Sequence, residues 1–532
     1  MYDYVIVGGG SAGCVLAARL SEMSDVRVLL LEAGPTDNNR YIHWPVGFAK
    51  MTAGPFTWGL RTAPQRHAND REIPFAQARV IGGGSSINAE VYTRGCPEDY
   101  DRWANEEGCP GWSFAEVKPY LIRSEGNDTF AGADHGTDGP LGVSSLSPNL
   151  MTKVFVQACQ QAGIPYNPDF NGARQAGSGV YQTTTRNARR CSAAVGYLRP
   201  AMARPNLQIE TDSLTTRILV ENGAAVGVEY TRMGRTHTAR AEREVIVTSG
   251  AIGSPKLLML SGIGPADELK ALGVMPVHDL PGVGANLHDH YGTDVVYELK
   301  GSWSFDRYQK WYWALLAGLE YQLFGKGPVA SNIVEGGAFW WADRASPTPD
   351  TQFHFLAGAG VEEGVPPVPS GSGVTLNSYY LRPRSRGRVA LASADPTAAP
   401  IVDPNYLAEP SDLAMSIEGL KLMREIMGQP VFARYISGEH LPGNAIRSDA
   451  ECAEYIRRQG RTCYHPVGTC RMGSDDAAVV DPQLRVRGIE RLRVCDSSVM
   501  PSLVSSNTNA PSIMIGEKAS DLIRGNRLAA AA

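Results

Sequence analysis

Three glycines and one acid set the first chemical expectation. Gly8, Gly10 and Gly13 follow the run Tyr4-Val5-Ile6-Val7 at G-x-G-x-x-G spacing, and Glu32 stands nineteen residues after Gly13, closing Val28-Leu29-Leu30-Leu31. Strand, tight turn, helix, second strand and terminal acid are, in that order, the parts of a dinucleotide-binding βαβ unit. Gly8 permits the turn, Gly10 lets a pyrophosphate reach backbone N–H groups at the helix N-terminus, and Gly13 lets helix and strand pack closely. Glu32 is placed to accept hydrogen bonds from a ribose. A glycine-rich turn that binds nothing leaves that acid unexplained. A second stretch, Gly82-Gly83-Gly84-Ser85-Ser86 with Asn88 just beyond, offers close backbone approach and small polar groups.

Two other constellations are weaker. His288-Asp289-His290 on a strand would point both rings to one face, as a metal-binding pair does. It follows the turn Pro281-Gly282-Val283-Gly284, however, which resembles a structural turn of a known oxidoreductase family, and that resemblance implies a structural role and no metal. The one G-x-S-x-G sequence, Gly9-Gly10-Ser11-Ala12-Gly13, is the first glycine turn itself, so a serine-hydrolase reading lacks a separate nucleophile elbow.

The elements that must hold these groups fall in two patterns. Strand-like runs at 207–210, 217–220, 225–230, 244–248 and 492–496, with helices at 256–260 and 510–523, extend the opening unit. Runs at 294–300, 351–356 and 373–381 predict another sheet, which 387–391 extends, and an amphipathic helix is expected near 151–163. Residues 35–62 are too irregular for a plain crossover and read as an insertion covering the bound cofactor.

Composition narrows the partners. The 532 residues carry 50 Lys+Arg against 55 Asp+Glu, a formal charge of -5, with no strongly basic block, which argues against nucleic acid. The nine cysteines show no C-x-x-C pair and no zinc spacing, and are read as reduced thiols in a cytoplasm-like compartment. The chain enters its first strand almost at once, so no signal peptide is expected, and no apolar run has the length of a spanning helix. The nearest approach is the apolar stretch 311–324, interrupted by Glu320. It is read as a core or oligomer-facing helix in preference to a peripheral membrane contact.

The segment Ala78-Arg79-Val80-Ile81-Gly82-Gly83-Gly84-Ser85-Ser86-Ile87-Asn88, running on to Asp101, resembles the first signature of the glucose-methanol-choline oxidoreductases. Gly250-Ala251-Ile252-Gly253-Ser254-Pro255, continuing to Gly264, resembles the second. Tyr464-His465-Pro466-Val467-Gly468 and Asn507-Thr508-Asn509-Ala510 resemble the active-site segments, so the likeness runs in order along nearly the whole chain. It implies an enzyme of α/β and α+β class. A discontinuous Rossmann-like FAD-binding domain (1–147, 207–293 and 457–532) would carry an inserted substrate domain (148–206 and 294–456), built on an antiparallel sheet covered by helices.

The resemblance names FAD over a nicotinamide cofactor. It implies contacts from Gly8, Gly10, Ser11, Ala12, Gly13, Glu32, Ala33, Trp58, Arg79, Gly83, Gly84, Ser85, Ser86, Asn88, Ala89, Val91, Thr215, Asp496, Ser497 and Thr508. Ile87 stands where members with covalently attached flavin can carry histidine, so non-covalent FAD is expected. The flavin disulfide reductases need a cysteine pair near the first βαβ unit, where Cys14 is alone. By resemblance His465 is the base that takes the alcohol proton while hydride leaves for flavin N5. Asn507, forty-two residues on, is the amide that orients the hydroxyl and stabilises developing charge.

Within the family, residues 42–52, 87–95, 189–192, 195–200 and 334–340 look closer to enzymes that oxidise the primary alcohol of L-sorbose, an FAD-dependent L-sorbose dehydrogenase activity, than to the other members. The expected substrate is therefore a sugar or polyol, with a quinone-type or artificial electron acceptor. The alternative is oxidation of aryl, choline-like or aliphatic alcohols. Glu90 is expected either to bind sugar hydroxyls or to pair with Arg94 or Arg190.

Overall fold

The opening strand Tyr2–Val7 is buried over its last five residues, a run that fits only the interior of a parallel sheet covered on both faces. In the computed structural model, which describes every residue except 363, 527, 529, 531 and 532, that is its position. The C-terminal end of the 457–532 segment thus lies partly outside the described residues. Tyr2–Val7 runs parallel to Val28–Leu31 on one side and to the end of Arg235–Val247 on the other. Leu207–Glu210 and Leu492–Val494 extend the sheet in the same sense. Helix Ser11–Leu20 packs against the closing helix Asn509–Arg524, so both chain ends meet at the first glycine turn.

Arg235–Val247 begins nine residues earlier than the apolar run at 244–248 indicates. Its first half is largely exposed and pairs antiparallel with Ala224–Arg232, which in turn pairs with Ser213–Glu221. Exposed polar residues there hide the strand from a hydrophobicity pattern.

The second sheet is antiparallel. Its strands run in the order Ile436–Leu441, Tyr291–Leu299, Gly373–Tyr380, Thr351–Leu356, Gly336–Trp340, Gly177–Val180, and Arg461–Thr462 pairs with the start of Tyr291–Leu299. Alternation along Thr351–Leu356 sends Phe353 and Phe355 into a core with helices Leu150–Gln161 and Pro410–Met427, where Phe155 and Phe355 stack at 4.7 Å. Gln352 and His354 point the other way, toward the cavity described below.

Two expectations are corrected. Arg388–Ala390 does not extend this sheet; it pairs with Ile401–Asp403, because Gly387 and Leu287 exchange backbone hydrogen bonds and Val389 N donates to Gly284 O. The apolar helix Trp311–Phe324 is not a core helix: only Ala317 and Tyr321 are buried.

Candidate active site

The first glycine turn and the second glycine stretch abut. A Cβ on Gly83, whose φ is +55°, would stand 2.6 Å from Gly10 Cα, and one on Gly13 would stand 1.9 Å from Gly8 O. These glycines are required by packing. Gly10 and Gly84 are not: a Cβ on Gly10 would meet only Thr248 O at 3.8 Å, and one on Gly84 would meet nothing. Both line a cavity of about 400 Å³, so the space their missing side chains leave belongs to a ligand.

That cavity is lined by Gly8, Gly10, Ser11, Ala12, Glu32, Ala33, Trp58, Gly83, Gly84, Asn88, Ala89, Val91, Thr215, Asp496, Ser497, Asn507, Thr508 and His465. Gly13, Arg79, Ser85 and Ser86 stand behind it. Ser85 Oγ donates to Gly82 O at 2.6 Å and accepts from Ala193 N, and Ser86 Oγ donates to Ile81 O at 2.8 Å, so both hydroxyls hold the loop itself. Arg79 lies over the Trp58 ring at 4.9 Å.

Glu32 accepts from Gly9 N at 2.8 Å through one oxygen and from Gly34 N at 2.7 Å through the other, which fixes the carboxyl plane and leaves lone pairs free. Burial pushes its pKa up to about 7 against the pull of those two N–H groups. Thr215 Oγ1 and Asn509 Nδ2 are buried polar atoms at the wall with no protein partner. Open glycine positions, a helix N-terminus, an oriented carboxylate and unpartnered polar atoms together suit the phosphates and ribose of a dinucleotide. Asp496 accepts from Gly250 N and Ser254 Oγ and holds a second helix N-terminus, that of Gly250–Leu260, against the same wall.

At the far end sits His465, next to Tyr464, which adopts a positive φ of 62°. Its backbone N donates to Asp289 Oδ1 at 2.7 Å. Tyr406 OH and Thr462 Oγ1 donate to the other Asp289 oxygen. Its side chain belongs to a chain of defined direction. His290 Nε2 lies 3.2 Å from Leu381 O, a carbonyl that can only accept, so Nε2 carries the hydrogen. Burial holds the His290 pKa down at about 4, so the ring is neutral and its Nδ1 accepts. The hydrogen between His290 Nδ1 and His465 Nδ1, 3.0 Å apart, is therefore on His465. His465 Nε2 is left with a lone pair, 3.3 Å from Asn507 Nδ2. The Asn507 amide is oriented in turn, because Oδ1 accepts from Thr93 Oγ1 at 2.9 Å and Gln352 Nε2 at 3.0 Å.

Burial, then the neighbouring His290 and His354, hold the His465 pKa well below the ordinary histidine range. His290, Gln352 and Thr93 were not singled out as catalytic-centre residues from sequence. The only signal was the H-x-H pair, which was read as structural in preference to metal; the two rings diverge, His288 toward Asn286 and His290 toward His465. Asn509, two residues after Asn507, accepts from Ser11 Oγ at 2.8 Å through Oδ1.

Glu90 pairs with Arg190, whose Nε lies 3.3 Å away with both side chains fully buried, while Arg94 pairs with Glu125. All nine cysteines are buried and free.

Two family models, each described as GMC oxidoreductase, match residues 2–292 and 383–516. The chain belongs to the GMC oxidoreductases, enzymes acting on alcohol CH–OH groups. It is 44% identical over 529 residues to an alcohol dehydrogenase [acceptor] of Pseudomonas putida (98% of this chain, 96% of the relative). It is 43% identical over 535 residues to the mitochondrial choline dehydrogenase of Homo sapiens (98% and 90%). A formate oxidase variant of Aspergillus oryzae RIB40, described for its effect on FAD modification, superposes with a TM-score of 0.93 at 26% identity, covering 98% of each chain. Family and fold support FAD as the cofactor, and the cavity residues fit it. The relatives' names do not support an L-sorbose specificity.

Proposed function

We propose that the chain is an FAD-dependent dehydrogenase of neutral aliphatic or aryl primary alcohols, with His465 as base and Asn507 as the orienting amide. The observation that carries this reading is the lone pair that the hydrogen-bond chain leaves on His465 Nε2 at the cavity, where it accepts from the Asn507 amide at 3.3 Å. An alcohol hydroxyl that takes the place of the Asn507 amide on Nε2 gives its proton to Nε2, while Asn507 Nδ2 donates instead to the alkoxide oxygen and stabilises its charge. His290 Nδ1 keeps accepting from the resulting imidazolium. FAD bound in the cavity supplies the two-electron acceptor for the carbinol carbon.

The substrate end is lined by Phe48, Val334, His354 and Tyr379. Its two carboxylates, Glu90 and Glu362, are each faced by a buried guanidinium, Arg190 and Arg461. Arg461 is also held by Asp294 through Nε and Nη2, so it neutralises Glu362 only in part; burial raises the Glu362 carboxyl and lifts that of Glu90 to about 7, which weakens the field either offers a quaternary ammonium and favours a neutral alcohol over choline. Ile87 also lines the cavity and has no nucleophilic atom, which supports non-covalent FAD.

Anaerobic bleaching of the flavin by 1-alkanols, benzyl alcohol, choline and L-sorbose tests the reading. The alkanols or benzyl alcohol are expected to reduce it fastest, followed by re-oxidation with a quinone in preference to oxygen. Fastest reduction by choline or L-sorbose overturns the substrate assignment.

A further inference from the structure

Among the described residues, eight of the nineteen exposed large apolar side chains sit on the single helix Trp311–Phe324. Trp311 is 76%, Leu323 71% and Phe324 70% exposed. At 100° per residue the exposed apolar side chains sweep rather more than half the helix circumference, from Trp311 through Leu315, Leu319, Tyr312, Leu323, Leu316 and Trp313 to Phe324, with Gln322 and Glu320 as the polar residues inside that arc. The remaining sector, Ala317 and Tyr321, seats the helix on Trp44, Val46 and Val329. A soluble monomer does not ordinarily concentrate apolar surface in this way, so the face has an occupant.

The charge around the helix identifies it. Lys310 and Lys326 bracket its ends and are exposed. Arg307 lies over the Trp313 ring at 5.3 Å, Arg40 over the Trp44 ring at 5.3 Å, and the exposed Arg189 follows Ala188, whose carbonyl accepts from Tyr321 OH at 3.0 Å. The helix itself carries one acid, Glu320, whose carboxylate lies against Gly327. Aromatic rings at one end of an apolar face, ringed by cations on flexible stems, are what a bilayer interface with anionic headgroups accepts. A second copy docked symmetrically on this face would bring the same cations into opposition, at a cost in like-charge repulsion. The helix is 14 residues long, too short to cross a bilayer, so it lies in the interface plane.

We propose that Trp311–Phe324 is a monotopic anchor that docks the enzyme on an anionic lipid bilayer. The seat of the helix shares the segment 44–52 with the cavity: Trp44 and Val46 pack under the helix while Phe48 and Thr52 line the cavity. Docking therefore brings the cavity wall toward the membrane.

Co-sedimentation of the FAD-loaded full chain with vesicles of phosphatidylglycerol and phosphatidylcholine in equal parts, and with phosphatidylcholine vesicles, tests this, alongside the molar mass in solution by sedimentation equilibrium. The wild type is expected to pellet with the anionic vesicles and to be released by high salt. Leu316→Glu/Leu319→Glu should lower its partition roughly tenfold or more while keeping flavin absorbance and alcohol oxidation with a soluble acceptor. Lys310→Glu/Lys326→Glu should lower anionic binding with the apolar face intact. A wild type that stays in the supernatant with both vesicles overturns the proposal, as does a wild-type dimer that Leu316→Glu/Leu319→Glu converts to monomer without any vesicle binding.

Discussion

His290 and His465 meet through their Nδ1 atoms at 3.0 Å with their ring planes at 89°. Two neutral imidazoles in this contact must be one donor and one acceptor, and the Leu381 carbonyl on the far side of His290 decides which is which. His290 thus acts through His465 as a positioning residue. It touches neither substrate nor cofactor in this reading.

Replacing His290 by Leu removes the acceptor and frees His465 to carry its hydrogen on Nε2. Flavin reduction by alcohol should slow by about 10–10²-fold, and His290→Asn, whose Oδ1 can accept at the Nδ1 position, should recover part of the rate. The pH profile separates this from loose packing: the acid limb of the reduction rate should move in His290→Leu and return in His290→Asn. A change in stability with an unmoved limb counts against the role.

His465→Ala should leave FAD binding and folding largely intact and slow flavin reduction by about 10²–10⁴-fold. Re-oxidation of pre-reduced flavin by an artificial acceptor needs no proton from the alcohol and should change little. Stopped-flow measurement of the two half-reactions checks this, and a wild-type reductive rate in His465→Ala refutes the base.

The depressed pKa of His465 sets the direction of the wild-type pH dependence. A lowered pKa keeps the imidazole neutral, and so able to accept a proton, at every pH above it. The reduction rate should therefore stay flat down through the ordinary histidine value of about 6.5 and fall only at lower pH. An inflection at the ordinary value would mean the ring is not desolvated in the holoenzyme.

Glu32→Ala should weaken FAD retention by about 1.5–3 kcal/mol, the value of a charge-assisted hydrogen bond. Because burial raises this carboxyl to about 7 and ribose hydroxyls favour its ionised form, FAD should bind more tightly at pH 8 than at pH 6. Glu32→Gln, which keeps the shape but does not titrate, should lose that dependence in fluorescence titrations of the apoprotein.

Gly13→Ala should destabilise the fold by about 1–3 kcal/mol or more, since its Cβ would sit 1.9 Å from Gly8 O. Gly84→Ala has room and should leave the thermal unfolding of the apoprotein nearly unchanged while weakening FAD retention. The pair separates a glycine needed for packing from one needed for the ligand.

The βαβ unit, the two glycine stretches and the family were legible in the sequence because their information is local: a spacing of a few residues sets a turn, and a turn beside a helix N-terminus sets an anion site. His465 and Asn507 were legible only through their surrounding motifs. Tertiary structure decided what depends on contacts between distant segments. His290 lies 175 residues from His465, so its neutrality and its accepting Nδ1 exist only once Tyr291–Leu299 and Arg461–Thr462 pair. The choice of Arg190 over Arg94 as partner of Glu90 rests on Glu125 occupying Arg94. Apolar composition along 311–324 could not say which face would be covered, because burial is a property of neighbours, and here the fold supplies them to Ala317 and Tyr321 alone.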